Sequence, residues 1–333
     1  MGEEIKKGRI CVTGATGFLG SWTVKRLLED GYSVNATIRM DPDKKRDISY
    51  LTTLPGAKER LNIYNADLDN PESFGAALEG CTGVFHMAHP LDFEEKEPEE
   101  TKIKRVVNGV RAILQSCLDS KTVKRVVYTS SISAVAFTKI NNAATDIIDE
   151  SCWTDVELVR SVKAFAGPYI VTKTLAERAA QEFAEEKGLD VVILNPTWVT
   201  GPFICPKIPD TVDISMALIF GDKSHYPMLM DSSLVHVDDV ARAHIYLFEY
   251  PKAKGRYICS ALEFKIHQLS EFLSSRYPHF QMPTPDSWKD VPTFKVSGLS
   301  SKKLLETGFK YENGLEEMFD GAIESCKQKG LLK

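Results

Sequence analysis

A short β-branched run, Arg9–Thr13, meets the segment Thr13-Gly14-Ala15-Thr16-Gly17-Phe18-Leu19-Gly20, and a helix-spaced run, Ser21–Glu29, follows it. No other feature constrains the fold as tightly. Gly14 permits a tight turn, Gly17 lets backbone approach a pyrophosphate, and Gly20 lets helix and strand meet closely. The helix amino end, with the N–H groups of Phe18 and Leu19, then offers unpaired donors and partial positive charge to phosphates. The spacing is G-x-x-G-x-x-G rather than the commoner G-x-G-x-x-G. A glycine triplet alone is a weak signal; between a first strand and a first helix it is specific.

The rest of the first half repeats the theme. Ser33–Ile38, Leu61–Tyr64, Gly83–Met87, Lys124–Thr129 and Leu189–Leu194 read as strands, and Gly31 ends the first helix. Ile103–Leu118 carries apolar residues at helical spacing, and a further helix runs from about Tyr169 to Lys187. Strands separated by such helices pair in parallel through right-handed crossovers, so the fold class is α/β, a Rossmann-type doubly wound parallel sheet. Runs such as VVIL, apolar on both faces, suit a sheet covered on both sides. After Asn195 prolines cluster and alternation weakens, before a helix near Val237–Phe248, a strand at Arg256–Cys259 and closing helices. The expected division is 1–195 for a dinucleotide-binding domain and 196–333 for a smaller C-terminal α/β substrate lobe, partly interleaved with it.

Composition excludes several classes. Lys+Arg 41 against Asp+Glu 46 gives a net charge of −5, so no global basic footprint for nucleic acid exists. No apolar run approaches the ~18 residues of a membrane helix. The first ten residues lack an apolar signal core, and position 6 lacks the Ser or Thr of a myristoylation site. Seven scattered cysteines without a C-x-x-C argue for reduced thiols, a cytoplasmic setting and no zinc. The His236-Val237-Asp238-Asp239 run reads as a helix cap rather than a metal site, because no second ligand cluster accompanies it. The expected partner is a small-molecule substrate, with the chain a monomer or weak homodimer.

The end of the second strand selects the cofactor. A ribose-binding acid is expected about 20 residues beyond the glycines, and Arg39 stands there, followed by Lys44, Lys45 and Arg46. A carboxylate repels a 2′-phosphate, whereas a guanidinium binds it through paired hydrogen bonds. Arg39, Lys45 and Arg46 therefore favour NADP(H) over NAD(H), with Asp41 and Asp43 as neighbours of opposite sign. Asp67 and Leu68 are placed beside the adenine, and Met87 and Ala88 under the cofactor.

Tyr169 and Lys173 are four apart on a predicted helix and share a face. Thr129-Ser130-Ser131 ends the fifth strand, at the edge where such sheets bind ligands. A nearby Lys⁺ is expected to lower the phenol, letting Tyr169 exchange a proton with a carbonyl or alcohol oxygen. Lys173 is also expected to bind the nicotinamide ribose, Ser131 to polarise the substrate oxygen, and Thr129 to sit against the cofactor. His86 reads as a packed strand histidine. His89 and Pro90, beyond that strand, read as the substrate mouth. Trp198, Phe220 and Tyr226 are aromatic candidates for the pocket or for plain core.

These segments, CVTGATGFLGSW, GVFHMAHP, KRVVYTSS, YIVTK, NPTWVTGPF and HVDDVARAHIYL, resemble the extended short-chain dehydrogenase/reductases. Within them the likeness is to the plant group of dihydroflavonol, cinnamoyl-CoA and vestitone reductases, with alkaloid-modifying members such as noscapine synthase. It runs from Arg9 almost to Leu332. The resemblance implies a Ser131-Tyr169-Lys173 triad, with Ser130 as fallback. It also implies Pro196, Thr197 and Val199 along the nicotinamide and Thr211 as a further cofactor contact. Two departures bear on substrate. Ala136 stands where flavonoid reductases place an Asn that reads hydroxyls, which argues against dihydroflavonol, and the cinnamoyl-CoA signature is missing. Pro168 before Tyr169 also differs from the group.

The reading is an NADPH-dependent ketone reductase of plant specialised metabolism. Two alternatives stay open: an NADP-dependent dehydrogenase oxidising an alkaloid alcohol or hemiacetal, and a cofactor-binding sensor without turnover. The sensor is disfavoured because Ser131, Tyr169 and Lys173 are all kept. Sugar epimerisation or dehydration is disfavoured by the lack of a phosphate clamp in the second half.

Overall fold

The computed structural model describes residues 7–40, 46–89, 98–138, 147–162, 166–292 and 298–332. β1 (Arg9–Thr13), β2 (Ser33–Ile38), β3 (Leu61–Asn65), β4 (Gly83–His86), β5 (Arg125–Thr129), β6 (Val191–Pro196) and β9 (Gly255–Cys259) form one sheet, in the order β3-β2-β1-β4-β5-β6-β9. Every pairing in it is parallel. The chain starts at the centre and builds outward in both directions. Strand order reverses between β1 and β4, so a crevice opens beyond their carboxyl ends. Thr13 and His86 are register partners at that point.

Period-two alternation splits the strands between two cores. Cys11, Val84, Val126, Tyr128 and Ile193 pack with the helices Glu99–Asp119 and Gly167–Lys187. Ile10, Val12, Phe85 and Val127 face the other way, towards the helix Phe18–Glu29. Val192 and Leu194 pack beside them with the helix Val237–Glu249. Both faces are thus covered, which is why these strands read as continuous apolar runs. Among the described residues, no helix is long and apolar enough to cross a membrane.

The second half builds a smaller sheet. β7 (Trp198–Thr200) pairs in parallel with β8 (Asp231–His236), and β8 pairs antiparallel with β10 (Leu262–Lys265). Its apolar core includes Met216, Leu229, Leu269, Trp288 and Phe319. Yet β9, which lies beyond residue 195, returns to the large sheet and pairs with β6. Arg125 in β5 fastens the crossover helix that leads there. Its Nη1 donates to the carbonyls of Leu247, Phe248 and Tyr250 at 2.9, 3.2 and 2.7 Å, satisfying a helix end that lacks backbone partners.

Candidate active site

The glycine segment turns as its spacing requires. Gly14 takes left-handed backbone at φ 71°, and a Cβ there would stand 3.0 Å from the Ala88 backbone. Gly17 N–H closes the turn on the Gly14 carbonyl at 3.0 Å. A Cβ on Gly20 would lie 2.2 Å from that same carbonyl, so the glycine serves the turn itself. Gly17 precedes the helix, whose first turn holds Phe18 and Leu19 and carries no acidic side chain. Its first N–H groups, lacking partners a turn earlier, point out of the helix end. A donor row of this kind, without a side chain in front of it, fits the pyrophosphate of a dinucleotide.

Beside the turn, Arg46 Nη1 donates to Thr16 Oγ1 and to the Arg39 carbonyl, each at 3.2 Å. Arg39 and Arg46 are both exposed, and the Arg46 guanidinium sits at the rim of the Gly14–Gly17 turn. This donor set suits a 2′-phosphate. Lys45 lies outside the described residues, as do Asp41, Asp43 and Lys44. Tyr50, not singled out in the sequence, donates its hydroxyl to the Thr16 carbonyl at 3.1 Å and braces the turn. Asp67 and Leu68 follow β3; Asp67 N–H bonds Ser73 Oγ at 3.0 Å, and Leu68 packs beside the helix Glu99–Asp119. Thr13 Oγ1 accepts from the N–H of Met87 and Ala88 at 3.1 and 3.0 Å, which holds the β4 exit against β1.

Tyr169 and Lys173 occupy successive turns of Gly167–Lys187, on one face. Pro168 sits in the first helical turn, where its missing N–H leaves nothing unpaired, so this departure sets where the helix starts. Ser131 caps the short turn Ile132–Ala134, accepting from Ser133 N–H at 3.1 Å. Its hydroxyl donates to Ser133 Oγ at 3.1 Å and stands near enough to the Tyr169 phenol to lower its pKa. Ser130 turns the other way and donates to Glu177. Of the serine pair, Ser131 is the one that acts on Tyr169, and Ser130 is taken up by Glu177. Lys173 Nζ donates to the Thr129 carbonyl at 3.3 Å, while the Thr129 hydroxyl meets His244 Nε2 at 2.7 Å. Thr129 therefore offers the site its carbonyl rather than its side chain.

One electrostatic expectation is corrected. Burial pushes the Tyr169 phenol above its ordinary value, and the neighbouring Ser131 hydroxyl pulls it only part of the way back. Burial also pushes Lys173 down to about 8, with Glu177 opposing it. A buried lysine holds its proton less firmly, so its pull on the phenol weakens just where the phenolate is itself disfavoured. His86 is fully buried and pushed down to about 3 by burial and by Lys173. Because Thr13 Oγ1 accepts two N–H bonds, its own hydrogen goes to His86 Nδ1, at 2.8 Å. His89 presents its ring edge-on to Tyr169, centroids 5.9 Å apart, and is held neutral by burial, Lys173 and His86.

The remaining candidates divide. Pro196 ends β6, and Thr197 N–H bonds the Cys259 carbonyl at 3.1 Å. Thr211 Oγ1 donates to the Val199 carbonyl at 2.6 Å, which fixes the β7 backbone from the helix Asp210–Ser215. Trp198 and Phe220 are half-buried against the second core, and Trp198 Nε1 is buried without a partner. Tyr226 is fully buried edge-on to Trp288, centroids 6.1 Å apart; the geometry makes it part of that core, not an open pocket wall. Ala136 is likewise buried, among Ile132, Val135, Ile148 and Ile258. Pro90 lies outside the described residues. His236 Nδ1 caps its helix by accepting from Asp238 N–H at 3.1 Å, and Asp239 takes Arg242 and the N–H groups of Glu312 and Asn313. Among the described residues, no three His, Cys, Asp or Glu side chains gather around a metal position.

Sequence reasoning missed four polar residues behind the triad: Glu177, Asn195, His244 and Arg256. Glu177 continues the four-residue spacing of Tyr169 and Lys173, a signal that was present in the sequence. Nothing in the sequence pairs it with Arg256.

The model of the NAD dependent epimerase/dehydratase family matches residues 10–259. Vestitone reductase of Medicago sativa is 52% identical over 326 residues, 98% of this chain and 99% of that protein. Its crystal structure superposes with a TM-score of 0.88 at 50% identity, covering 98% of this chain and 100% of that one. Noscapine synthase of Papaver somniferum is 47% identical over 327 residues, covering 97% of this chain and 93% of that protein. Yeast methylglyoxal/isovaleraldehyde reductase, solved with NADPH, matches at a TM-score of 0.82 and 25% identity, covering 97% and 100% of the two chains.

Proposed function

The chain belongs to the NAD dependent epimerase/dehydratase family, in its extended short-chain dehydrogenase/reductase branch, and on that premise we propose a vestitone reductase-like ketone reductase whose proton donor is Tyr169. It is an NADP(H)-dependent oxidoreductase acting on carbonyl and CH–OH groups. The observation that carries the residue assignment is that Tyr169 and Lys173 share one helix face, with Lys173 Nζ on the Thr129 carbonyl at 3.3 Å and Ser131 two residues further on at the carboxyl edge of the sheet.

NADPH, when bound, supplies the hydride. The first-turn N–H groups after Gly17 would hold its pyrophosphate, and Arg39 and Arg46 its 2′-phosphate. Ser131 and Tyr169 bind the carbonyl oxygen from one side and polarise it. Tyr169 gives its proton to that oxygen as negative charge develops there. A phenol held protonated by burial suits this direction, because it stays a donor throughout the neutral range. Lys173, fixed on the Thr129 carbonyl, stands one turn behind to restore the proton.

The substrate class we propose is a polycyclic phenolic or alkaloid ketone. It is supported by the likeness to vestitone reductase and noscapine synthase and by Ala136, too short and too buried to read a substrate hydroxyl. The 47% identity to noscapine synthase supports a second reading, oxidation of an alkaloid alcohol by NADP⁺ at the same site. We further propose a cytoplasmic monomer or weak homodimer that binds neither nucleic acid nor membrane; seven free cysteines and a net charge of −5 support this. The test is Tyr169→Phe, assayed by NADPH oxidation against vestitone and a panel of phenolic and alkaloid ketones. Turnover is expected to fall by about 10²–10⁴-fold with NADPH affinity nearly unchanged. Normal turnover in that variant overturns the assignment.

A further inference from the structure

Directly behind the triad lies a buried ion pair that the reaction itself does not use. Glu177 is fully buried one turn beyond Lys173, and Arg256 of β9 is 5% exposed. Arg256 Nε meets Glu177 Oε1 at 2.5 Å. The other carboxylate oxygen takes Ser130 Oγ and, at 2.7 Å, Asn195 Nδ2. Three donors on three different strands, β5's end, β6 and β9, thus converge on one side chain of the triad helix. That is an acceptor set suited to an ionised carboxylate.

The network reaches the reacting groups by two routes. Asn195 Nδ2 also donates to the Ser131 carbonyl at 3.1 Å, so the backbone carrying the catalytic serine is tied to Glu177 through Asn195 as well as through Ser130. Arg256 continues outward. Its Nη1 donates to the carbonyls of Glu150 and Cys152 at 3.0 and 2.5 Å, and its Nη2 to Ala134 at 3.3 Å. The guanidinium lies over the Trp153 ring, 3.8 Å from its centroid. Glu150 returns the tie by accepting from Ile258 N–H at 2.9 Å. The strand end, the triad helix and the 148–154 segment therefore meet around one carboxylate–guanidinium contact, with Thr154 N–H on the Ala134 carbonyl at 3.0 Å as a further tie.

We propose that Glu177, locked by Arg256, is a positioning residue for the reduction: it sets the Ser131 backbone against Tyr169 and keeps a negative charge one turn from Lys173. The groups facing Lys173 are Tyr169 and Glu177 on its own helix and His86 and His89 from the β4 end, with Arg256 beyond Glu177 on β9. Among them Glu177 is the anion; both histidines are neutral. Removing its charge therefore lets Lys173 lose its proton at lower pH. Ser130 and Asn195 hold the geometry without changing that charge, which separates the two routes.

The proposal rests on the assignment of Tyr169 and Lys173 above, so the experiment carries Tyr169→Phe as a control. Full-length variants are assayed with NADPH and, as probes, vestitone and methylglyoxal. Glu177→Gln leaves Arg256 buried without its partner, so it is made alongside the neutral double variant Glu177→Gln/Arg256→Met. The double variant is expected to unfold cooperatively and to bind NADPH as the wild type does. Its kcat is expected to fall roughly tenfold to a hundredfold with KM little changed. The alkaline limb of its kcat/KM profile is expected to move about one pH unit lower. Asn195→Ala and Ser130→Ala are expected to lower kcat with that limb unmoved, and they decide the matter if the double variant does not fold. Wild-type kcat and an unmoved limb in the folded double variant, or wild-type kcat in both single alanine variants, overturn the positioning role. Normal turnover in Tyr169→Phe instead overturns the underlying assignment.

Discussion

The difference between Ser130 and Ser131 is one residue, and the two point to different tasks. Adjacent residues at an extended strand end project to opposite sides, so one hydroxyl lies on the side of Tyr169 and its neighbour donates to Glu177. The sequence showed the pair but left Ser130 as a fallback, because alternation says they diverge without saying which way the helix lies. Titration is also decided at this scale. Lys173 is pushed down to about 8 by burial, whereas His86 and His244 are pushed down to about 3 and about 4. The reduction needs Lys173 protonated, so kcat/KM, which reports the free enzyme, is expected to fall as pH rises through about 8. The stability effect runs the other way. With the folded value depressed, the penalty for burying the ammonium is full below the folded value and fades as pH rises towards the unfolded one. A pH series of initial rates checks the first statement; a limb centred at the ordinary histidine value would contradict it.

At the scale of the element, the glycine turn and the triad helix were legible for the same reason: each is a local pattern with a fixed period. Gly14, Gly17 and Gly20 recur every third residue because one turn brings them together, and Gly20 proves to face the Gly14 carbonyl. Gly20→Ala places a Cβ 2.2 Å from that backbone oxygen, which no rotamer relieves. It is expected to destabilise the protein by about 1–3 kcal/mol or more and to weaken NADPH binding. Gly75 is the control. Its φ is −51° and a Cβ there meets nothing within 4 Å, so Gly75→Ala is expected to be neutral or stabilising by up to about 1 kcal/mol. Thermal unfolding of both variants, with NADPH titration, checks the pair; equal melting temperatures would contradict the close approach at Gly20. Element boundaries were less legible. The first helix begins at Phe18 rather than Ser21, because the glycines that looked like loop include its first turn. The helix whose apolar face runs from Ile103 begins at Glu99, within the acidic run that reads as a helix start, and Glu99 and Glu100 complement its positive end.

Over the whole molecule, a cut after residue 195 separates residues that need each other. β6 loses β9, Arg125 loses the carbonyls of Leu247, Phe248 and Tyr250, Thr129 loses His244, and Glu177 loses Arg256. We therefore propose that the cofactor and substrate units divide the function and share the fold. A fragment of residues 1–195 is expected not to unfold cooperatively, since β6 becomes an open edge and the face under Val237–Glu249 is bared. Urea unfolding followed by tryptophan fluorescence and circular dichroism checks this; a single steep transition with both probes coinciding would show a self-sufficient domain.

The sequence by itself determined the α/β class, the parallel order implied by strand–helix alternation, the glycine turn and the Tyr169–Lys173 face. All of these follow from periods of two, three and four residues, which neighbouring positions fully specify. Only the tertiary structure decided that β9 joins the large sheet, that Tyr226 is core, that burial raises rather than lowers the Tyr169 phenol, and that Glu177 meets Arg256, 79 residues away. Burial and long-range pairing depend on what the rest of the chain brings alongside. No local pattern carries that information.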